Sequence, residues 1–205
     1  MRRVSPSYGE RVTTDAAGAD FRTRLLAACE ASIAEDGYAK MTIADIVRRA
    51  RTSRRTFYEY FSSKEECFMA LLADANADQI RQISAAVDPD APWRDQARQA
   101  IEAWIASGES RPDVTLSWIR DGPSLGAAGR ALTRDSMEQF IEMVNALIDS
   151  PRFREAGIGP VSRPRIIMLL GGLRELTAVT VENGGTMSDI TEDAVEATIA
   201  LVAAG

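Results

Sequence analysis

The chain has 205 residues, 45% of them apolar, and a formal net charge of −6, so it can bury a hydrophobic core and is not a wholly disordered protein. It contains no histidine, which excludes metal sites and catalytic triads that need imidazole, and we expect no cofactor and no metal. No window approaches the roughly 18 uninterrupted apolar residues of a membrane span, and residues 1–20 lack the apolar block of a signal peptide, so we expect a cytoplasmic protein without a membrane partner.

Apolar residues recur at helical spacing along the chain, with no alternating strand pattern, and predict an all-α protein. A first helix is predicted from Phe21 to Asp36, and Gly37 supplies the left-handed residue that ends it. Thr42 and Asp45 have the spacing of a capping box, which predicts that a second helix begins directly after Thr42.

Two further capped helices are predicted after a short turn. Ser53 is a good N-cap for a helix over residues 54–60, and Ser63 begins a capping box for a helix that can run to about Val87. The second and third helices, joined by the short turn at residues 51–52, have the layout of a helix-turn-helix.

The rest of the chain follows a proline-rich break at residues 88–92 and is predicted to hold five more helices, about nine in all. They are expected at about 93–107, 112–120, 125–149, 163–182 and 190–203. The breaks between them are expected at Gly108, 122–123, 151–160 and 184–185. The two cysteines, Cys29 and Cys67, lack any metal-ligand spacing and are interpreted as small core residues.

The third helix has the residue pattern of a helix that reads DNA. Phe57 and Phe61 lie one helical turn apart and can anchor it to a core. Arg54, Arg55 and Thr56 are then left exposed near its N-terminal end, the part of a recognition helix that normally meets base edges. An arginine fork matches guanine O6 and N7, so this helix could discriminate between sequences.

Charge is distributed unevenly along the chain. Residues 1–64 hold 12 Lys and Arg against 8 Asp and Glu, whereas residues 65–205 hold 12 against 22. A basic first part on an acidic remainder is typical of a nucleic-acid-binding domain joined to an unrelated second domain. Within the basic part, Glu59 lies four residues after Arg55, and we expect the two to form an ion pair.

This segment resembles the DNA-binding domain of the tetracycline-repressor (TetR) family of bacterial regulators. The resemblance covers about residues 20–72 and lies in Thr42-Ile43-Ala44-Asp45-Ile46, in Ser53 with Thr56-Phe57-Tyr58-Glu59-Tyr60-Phe61, and in Ser63-Lys64-Glu65. One departure is Arg51, which stands where the family usually has a glycine because that residue tends to adopt positive φ. A second is Thr52, where the family usually has an aliphatic residue.

The resemblance implies a sequence-specific transcriptional regulator that binds a palindromic double-stranded DNA operator as a homodimer, more often as a repressor than as an activator. It also implies three parts: a flexible arm at 1–19, a helix-turn-helix domain at 20–64, and a helical effector-binding and dimerisation domain at 65–205. Carried over by position, base contacts fall on Arg54, Arg55 and Thr56. Contacts with the DNA backbone fall on Thr42, Ser53, Tyr58, Tyr60 and Lys64.

The C-terminal domain would then hold a pocket for a small hydrophobic or amphipathic effector. The candidate lining residues are large and spread over several helices: Trp104, Trp118, Phe140, Met143 and Met168. The candidate polar anchors are Arg120, Gln139 and Glu175. A place in the ordinary core is the alternative for each lining residue.

Residues 166–173 are apolar around most of a helical circumference, so this helix must be covered on two sides. We expect it to contact its own core and a partner subunit, beside the last helix, in a four-helix dimer interface. The residues expected there are Ile166, Leu170, Leu173, Thr177, Val195, Ile199 and Val202. Gly171-Gly172 would allow a close approach of helices, with space for a ligand as the alternative.

Three alternatives stay open from the sequence. Arg2, Arg3 and Arg11 could enter a minor groove or belong to a disordered arm. The regulator could act without a small-molecule effector, constitutively or under the control of a partner protein. An all-α enzyme is the remote alternative, and we expect no enzyme because the sequence has no phosphate loop, metal cluster or activated nucleophile.

Overall fold

The computed structural model describes the backbone of residues 8–203 and the side chains of residues 20–203. Over that range the chain forms ten α-helices and two short 3-10 helices and no strand, which confirms the predicted all-α class. Within the same range, no helix has both the length and the apolar character needed to cross a membrane. The chain divides into two compact units, the head (Met1–Leu71) and the body (Leu72–Gly205).

The head consists of three helices and the beginning of a fourth. They are α1 (Tyr8–Asp36), α2 (Ile43–Arg49), α3 (Arg54–Tyr60) and the first part of α4 (Lys64–Ala86). Helix α1 begins well before the predicted start at Phe21, because the alanine-rich stretch ahead of the apolar stripe also favours a helix. The side chains of Arg2, Arg3 and Arg11 lie outside the described residues.

The core of the head is filled by large side chains from all four of these helices. Its buried members include Leu25, Leu26, Cys29, Ile33, Tyr38, Met41, Ile46, Phe57, Phe61, Cys67 and Phe68. The two cysteines are buried as predicted, and they lie beside each other although 38 positions separate them in the chain. A hydrogen bond with Cys67 and burial together raise the pKa of the Cys29 thiol, so it stays protonated and unreactive at neutral pH.

The body contains the rest of α4 and six further α-helices. These are α5 (Trp93–Ser110), α6 (Pro112–Arg120), α7 (Gly126–Ile148), α8 (Pro151–Glu155), α9 (Arg163–Glu182) and α10 (Thr191–Ala203). The 3-10 helices are Gly122–Leu125 and Met187–Ile190. The short helix α8 lies inside the predicted break at 151–160, which is therefore wrong at its beginning. Pro151 occupies the first helical position, where proline starts a helix readily and does not break it.

Two apolar clusters hold the body together. In the first, Ile101 and Ile105 of α5 pack with Leu173 of α9 and with Met187 and Val195 near the C-terminus. In the second, residues of α7, α8, α9 and α10 come together, namely Ile141, Ile148, Phe153, Ile166 and Val202. Helices α9 and α10 contribute to both clusters and therefore join them.

Candidate nucleic-acid interface and cavity

The start of α2 is fixed by the predicted capping box. The backbone N–H of Asp45 donates to the Thr42 hydroxyl (3.3 Å), and the Asp45 carboxylate accepts from the Thr42 N–H (3.2 Å) and hydroxyl (2.6 Å). These hydrogen bonds with Thr42, together with one from Arg48, lower the pKa of Asp45. Thr42 is exposed at this helix start, where a helix N-terminus favours a phosphate.

The turn between α2 and α3 is held by Arg24 of α1, a residue that no sequence pattern indicated. Arg51 has φ 50°, so it adopts the left-handed conformation for which the family usually supplies glycine. From α1, the Arg24 guanidinium donates to the carbonyl oxygens of Ala50 (2.5 Å) and Arg51 (3.2 Å). Arg24 therefore satisfies carbonyl groups that the end of α2 leaves open. An arginine near the middle of α1 gave no sequence signal for this role, because its partners lie 26 and 27 positions away.

Helix α3 is anchored on one side and exposed on the other. Its N-cap is Ser53, whose hydroxyl accepts from the Thr56 N–H (3.0 Å), and Phe57 is fully buried. Arg54 and Arg55 are exposed at the N-terminal end of the helix. A short, rigidly anchored helix that presents two arginines in this way can enter a major groove.

Other predicted contact residues of the head are partly engaged within it. Arg55 Nε donates to Glu59 (3.3 Å), which confirms the expected ion pair, yet the Arg55 side chain remains 90% exposed. Lys64 Nζ donates to the Tyr38 carbonyl oxygen (3.2 Å) and lies over the Tyr38 ring (4.5 Å). An ammonium group has three donors, so this contact leaves Lys64 capacity for a phosphate. Tyr58 is 56% exposed, whereas Tyr60 is half-buried.

The body contains two neighbouring cavities. The larger has about 140 Å³ and is lined by residues of α4, α5, α6, α7, α9 and the second 3-10 helix, among them Gln79, Trp104, Trp118, Ser136, Phe140, Leu173, Arg174 and Thr177. The smaller has about 70 Å³ and an almost wholly apolar lining. Trp104, Phe140, Leu170 and Leu173 line both. A void of this size far exceeds the ~10–15 Å³ that one water needs, so the body has room for a small ligand.

The structure separates the predicted pocket residues into two groups. Trp104, Trp118 and Phe140 line the larger cavity, and Met143 lines the smaller. The other four lie outside both cavities: Met168 is 58% exposed, Gln139 accepts a hydrogen bond from Asn76 (2.8 Å), and Arg120 holds Glu175 in a surface ion pair (3.0 Å). Among the polar groups that do line the larger cavity is Arg174, one position before Glu175 in α9.

Five of the seven residues expected at a dimer interface turn inward, whereas Leu170 and Ile199 are half-buried. Ile166, Leu173, Thr177, Val195 and Val202 are at most 7% exposed within the single chain, so they have no surface to offer a partner. Leu173 and Thr177, with Leu170, line the larger cavity instead. The periodicity of α9 indicated two covered sides but could not tell which side faces its own core.

The exposed side of α9 is unusually apolar. Ile167, Met168 and Val179 are 40%, 58% and 41% exposed, and a methyl group added at Gly171 or Gly172 would meet no atom within 4 Å. On α10 the exposed positions include Ala197 and Ala200, which are also small. These two helices thus present an apolar face with small residues, to which another helix could approach closely.

The described residues form a helix-turn-helix head and a helical body with a cavity, and comparison with known proteins shows which proteins the chain resembles. The sequence profile of the bacterial regulatory proteins of the tetR family matches residues 25–71. An uncharacterized HTH-type transcriptional regulator of Mycobacterium tuberculosis is 28% identical over 155 residues, which cover 74% of this chain. This chain spans 65% of that relative's length. The HTH-type transcriptional regulator EthR of M. tuberculosis is 29% identical over 155 residues, 71% of this chain and 68% of EthR.

Solved structures agree in fold. FadR of Bacillus halodurans, described as a fatty acid degradation regulator, matches with a TM-score of 0.77 over 87% of this chain and 94% of its own, at 14% identity. FadR of Bacillus subtilis, in complex with stearoyl-CoA, matches with a TM-score of 0.75 over 86% and 97%, at 15% identity. The N-terminal part of the chain, residues 25–71, is thus similar to the tetR family of bacterial regulatory proteins, and the fold of the described residues is that of the FadR structures.

Proposed function

We propose that the protein is a sequence-specific DNA-binding transcriptional regulator and not an enzyme. The observation that carries the proposal is the N-terminal end of α3, where Arg54 and Arg55 are exposed on a helix anchored by the buried Phe57. Arg54, Arg55 and Thr56 would read base edges, and such arginine contacts discriminate between bases by about 1–3 kcal/mol each. A regulator of this kind works on the chromosome, and hence in the bacterial cytoplasm.

Around this helix, polar groups are available for the phosphates on either side of the groove. Thr42 and Ser53 stand at the N-termini of α2 and α3, and Tyr58 is exposed on α3 itself. Tyr60 and Lys64 would contribute at the edge of the contact. Such contacts position the head on the duplex without reading sequence.

We further propose that the regulator works as a homodimer through the exposed faces of α9 and α10. The two copies of α3 would then lie about 34–36 Å apart, one turn of B-DNA, and the operator would be palindromic. The replacement Met168→Glu, on the exposed apolar face, is expected to convert the dimer into monomers because it would bury a charge at the contact. Sedimentation equilibrium measures this, and Ala128→Glu, at an exposed position of α7, is the matched control that should remain dimeric.

An effector in the larger cavity would release a repressor from its operator. Ala75, Asn76, Asp78, Gln79 and Gln82 of α4 line this cavity, and the same helix begins in the head at Lys64. A ligand that binds one position of α4 more tightly than another shifts the population between them, and so changes DNA affinity. The complex of B. subtilis FadR with stearoyl-CoA supports ligand binding by a protein of this fold.

The first experiment is selection of sheared genomic DNA by the purified protein at physiological salt, followed by sequencing. A few recovered fragments that share a palindrome are the expected result. Uniform recovery would mean that binding is only electrostatic, and would contradict the proposal. A regulator that works without an effector would also select DNA with a palindrome. It would remain bound to that DNA in the presence of every compound that fills the cavity.

A further inference from the structure

The larger cavity contains a guanidinium group whose charge is incompletely compensated. Arg174 Nη2 donates to the Ile119 carbonyl oxygen (3.1 Å), while its buried Nε has no hydrogen-bond partner among the described residues. Burial lowers the pKa of Arg174, which means that its surroundings stabilise the charge less well than water does. Arginine remains protonated even so. A partly buried cation with an unused donor favours an anion beside it.

The carboxylate nearest in sequence is already taken. Glu175 accepts two hydrogen bonds from Arg120 (both 3.0 Å), and Glu182 accepts from the same guanidinium (2.6 Å). These contacts turn both acids towards Arg120, and neither residue lines the cavity. Burial has the largest effect on the pKa of Arg174 and lowers it, the charge of Glu175 raises it by a smaller amount, and the charge of Arg120 lowers it again, so the net pKa is lowered.

The remaining charges around the cavity favour an anion as well. Arg111 is a second cation in the lining, and Asp78 is the one acid among the lining residues that the structure describes. The Asp78 carboxylate accepts a hydrogen bond from Arg81, so it is partly neutralised. An anionic ligand would therefore meet no unpaired acid among the described lining residues.

Beyond this polar region the cavity continues along an apolar wall. Trp104, Phe140, Leu170 and Leu173 line both cavities, and the smaller one adds Ala100, Val144 and similar side chains. A ligand long enough to pass these shared residues would bury an aliphatic tail there. Each buried CH₂ group would raise the binding affinity about fourfold.

From this arrangement we propose that the body binds an aliphatic carboxylate, with its carboxylate on the Arg174 guanidinium and its tail running past Trp104 and Phe140 into the smaller cavity. The identification of this ligand as the effector rests on the proposed function, whereas its binding does not.

The test is isothermal titration calorimetry of the full chain with octanoate and with 1-octanol, which share a tail and differ in charge. We expect octanoate to bind about tenfold or more tightly than the alcohol, because charge-assisted hydrogen bonds are the strong ones. The preference should disappear in Arg174→Gln and return in Arg174→Lys. Arg130→Gln is the matched control, since it removes an exposed arginine of the body that lies outside both cavities and should keep the preference.

The tail is tested separately with Ala100→Phe, which fills part of the smaller cavity. In the unaltered protein, affinity should rise steadily from butanoate to octanoate, and in this variant the rise should stop at a shorter acid. Thermal unfolding of each variant shows whether it is folded.

Equal binding of acid and alcohol, or a preference that survives in a folded Arg174→Gln, would overturn the assignment of the anion site. Octanoate that fails to bind to a protein which still selects a palindrome would overturn this inference and leave the proposed function standing. If octanoate binds to a protein that shows no DNA selectivity, the proposed function is overturned and this inference stands.

Discussion

The head and the body of this protein use buried space in opposite ways. The head fills its core with large side chains such as Phe57 and Phe68, both fully buried, and presents its polar groups outside within residues 42–64. The body instead leaves a cavity of about 140 Å³ and directs polar groups from distant parts of the chain, such as Gln79 and Arg174, towards it. A filled core holds the exposed helix of the head rigidly, whereas a cavity provides space in which a ligand can bind.

The ion pairs of the body also differ from the ion pair on helix α3. On the body, arginines outside the cavity join separate helices: Arg98 pairs with Glu192, and Arg163 with Glu138. On the head, Arg55 of α3 pairs with Glu59 one turn away, and its side chain remains 90% exposed. Arginines on the body thus brace its helices, whereas those on α3 remain available to an outside partner.

The largest effect is expected from removing a ring in each region. Phe57→Ala should lower the free energy of unfolding of the head by about 3–5 kcal/mol, because a fully buried ring leaves a void that the core cannot close. Phe140→Ala, at a half-buried ring that already borders both cavities, should cost only roughly 1–2 kcal/mol. Denaturant unfolding followed by circular dichroism measures both. Equal losses would remove the distinction between a filled head and an open body.

The next effect concerns the exposed arginines. Arg54→Ala should weaken binding to the selected operator by about 5–150-fold, equivalent to the ~1–3 kcal/mol of one base contact, and reduce the preference over unrelated DNA. Arg130→Ala, at an exposed position of α7 in the body, removes the same charge and should leave affinity unchanged. Fluorescence anisotropy at fixed salt gives both values. A similar loss in the two variants would mean that only net charge matters.

A smaller gain is expected at the turn before α3. Arg51→Gly should stabilise the head by roughly 0.5–1 kcal/mol, because glycine adopts φ near 50° without steric cost. This net value already includes the opposing effect of glycine, which raises the conformational entropy of the unfolded chain. Arg51→Ala loses the same charge but keeps a Cβ, so it should bring no such gain. Thermal unfolding compares the two variants. If alanine stabilised as much as glycine, the cause would be charge and not backbone conformation.

The smallest effect is a dependence on pH at the cap of α2. The folded-state pKa of Asp45 lies below its ordinary value because of hydrogen bonds with Thr42, so its contribution is present above the unfolded pKa of about 3.9 and is lost as pH falls through the folded value. Asp45→Asn should therefore be less stable than the unaltered protein at pH 7, and the two should converge in acid. A difference that stays constant down to pH 2 would contradict this origin.

Much of the head could be predicted because its features are local. The caps at Thr42 and Ser53, the buried Phe57 and the ion pair between Arg55 and Glu59 each depend on residues within four positions of one another. The contribution of Arg24 to the turn was beyond such reasoning, since its carbonyl partners are distant in sequence.

The body shows what a sequence leaves undecided. By itself, the sequence determined that residues 166–173 of α9 are apolar around most of the helix, and it indicated Trp104 and Phe140 as candidates for a pocket or for the ordinary core. Only the tertiary structure decided that Leu173 and Thr177 face the cavity, that Met168 faces outward, and that Arg174 and not Arg120 lines it. The physical reason is that helical periodicity specifies which residues share a face, whereas the helices packed against each face, brought from far along the chain, decide what that face contacts.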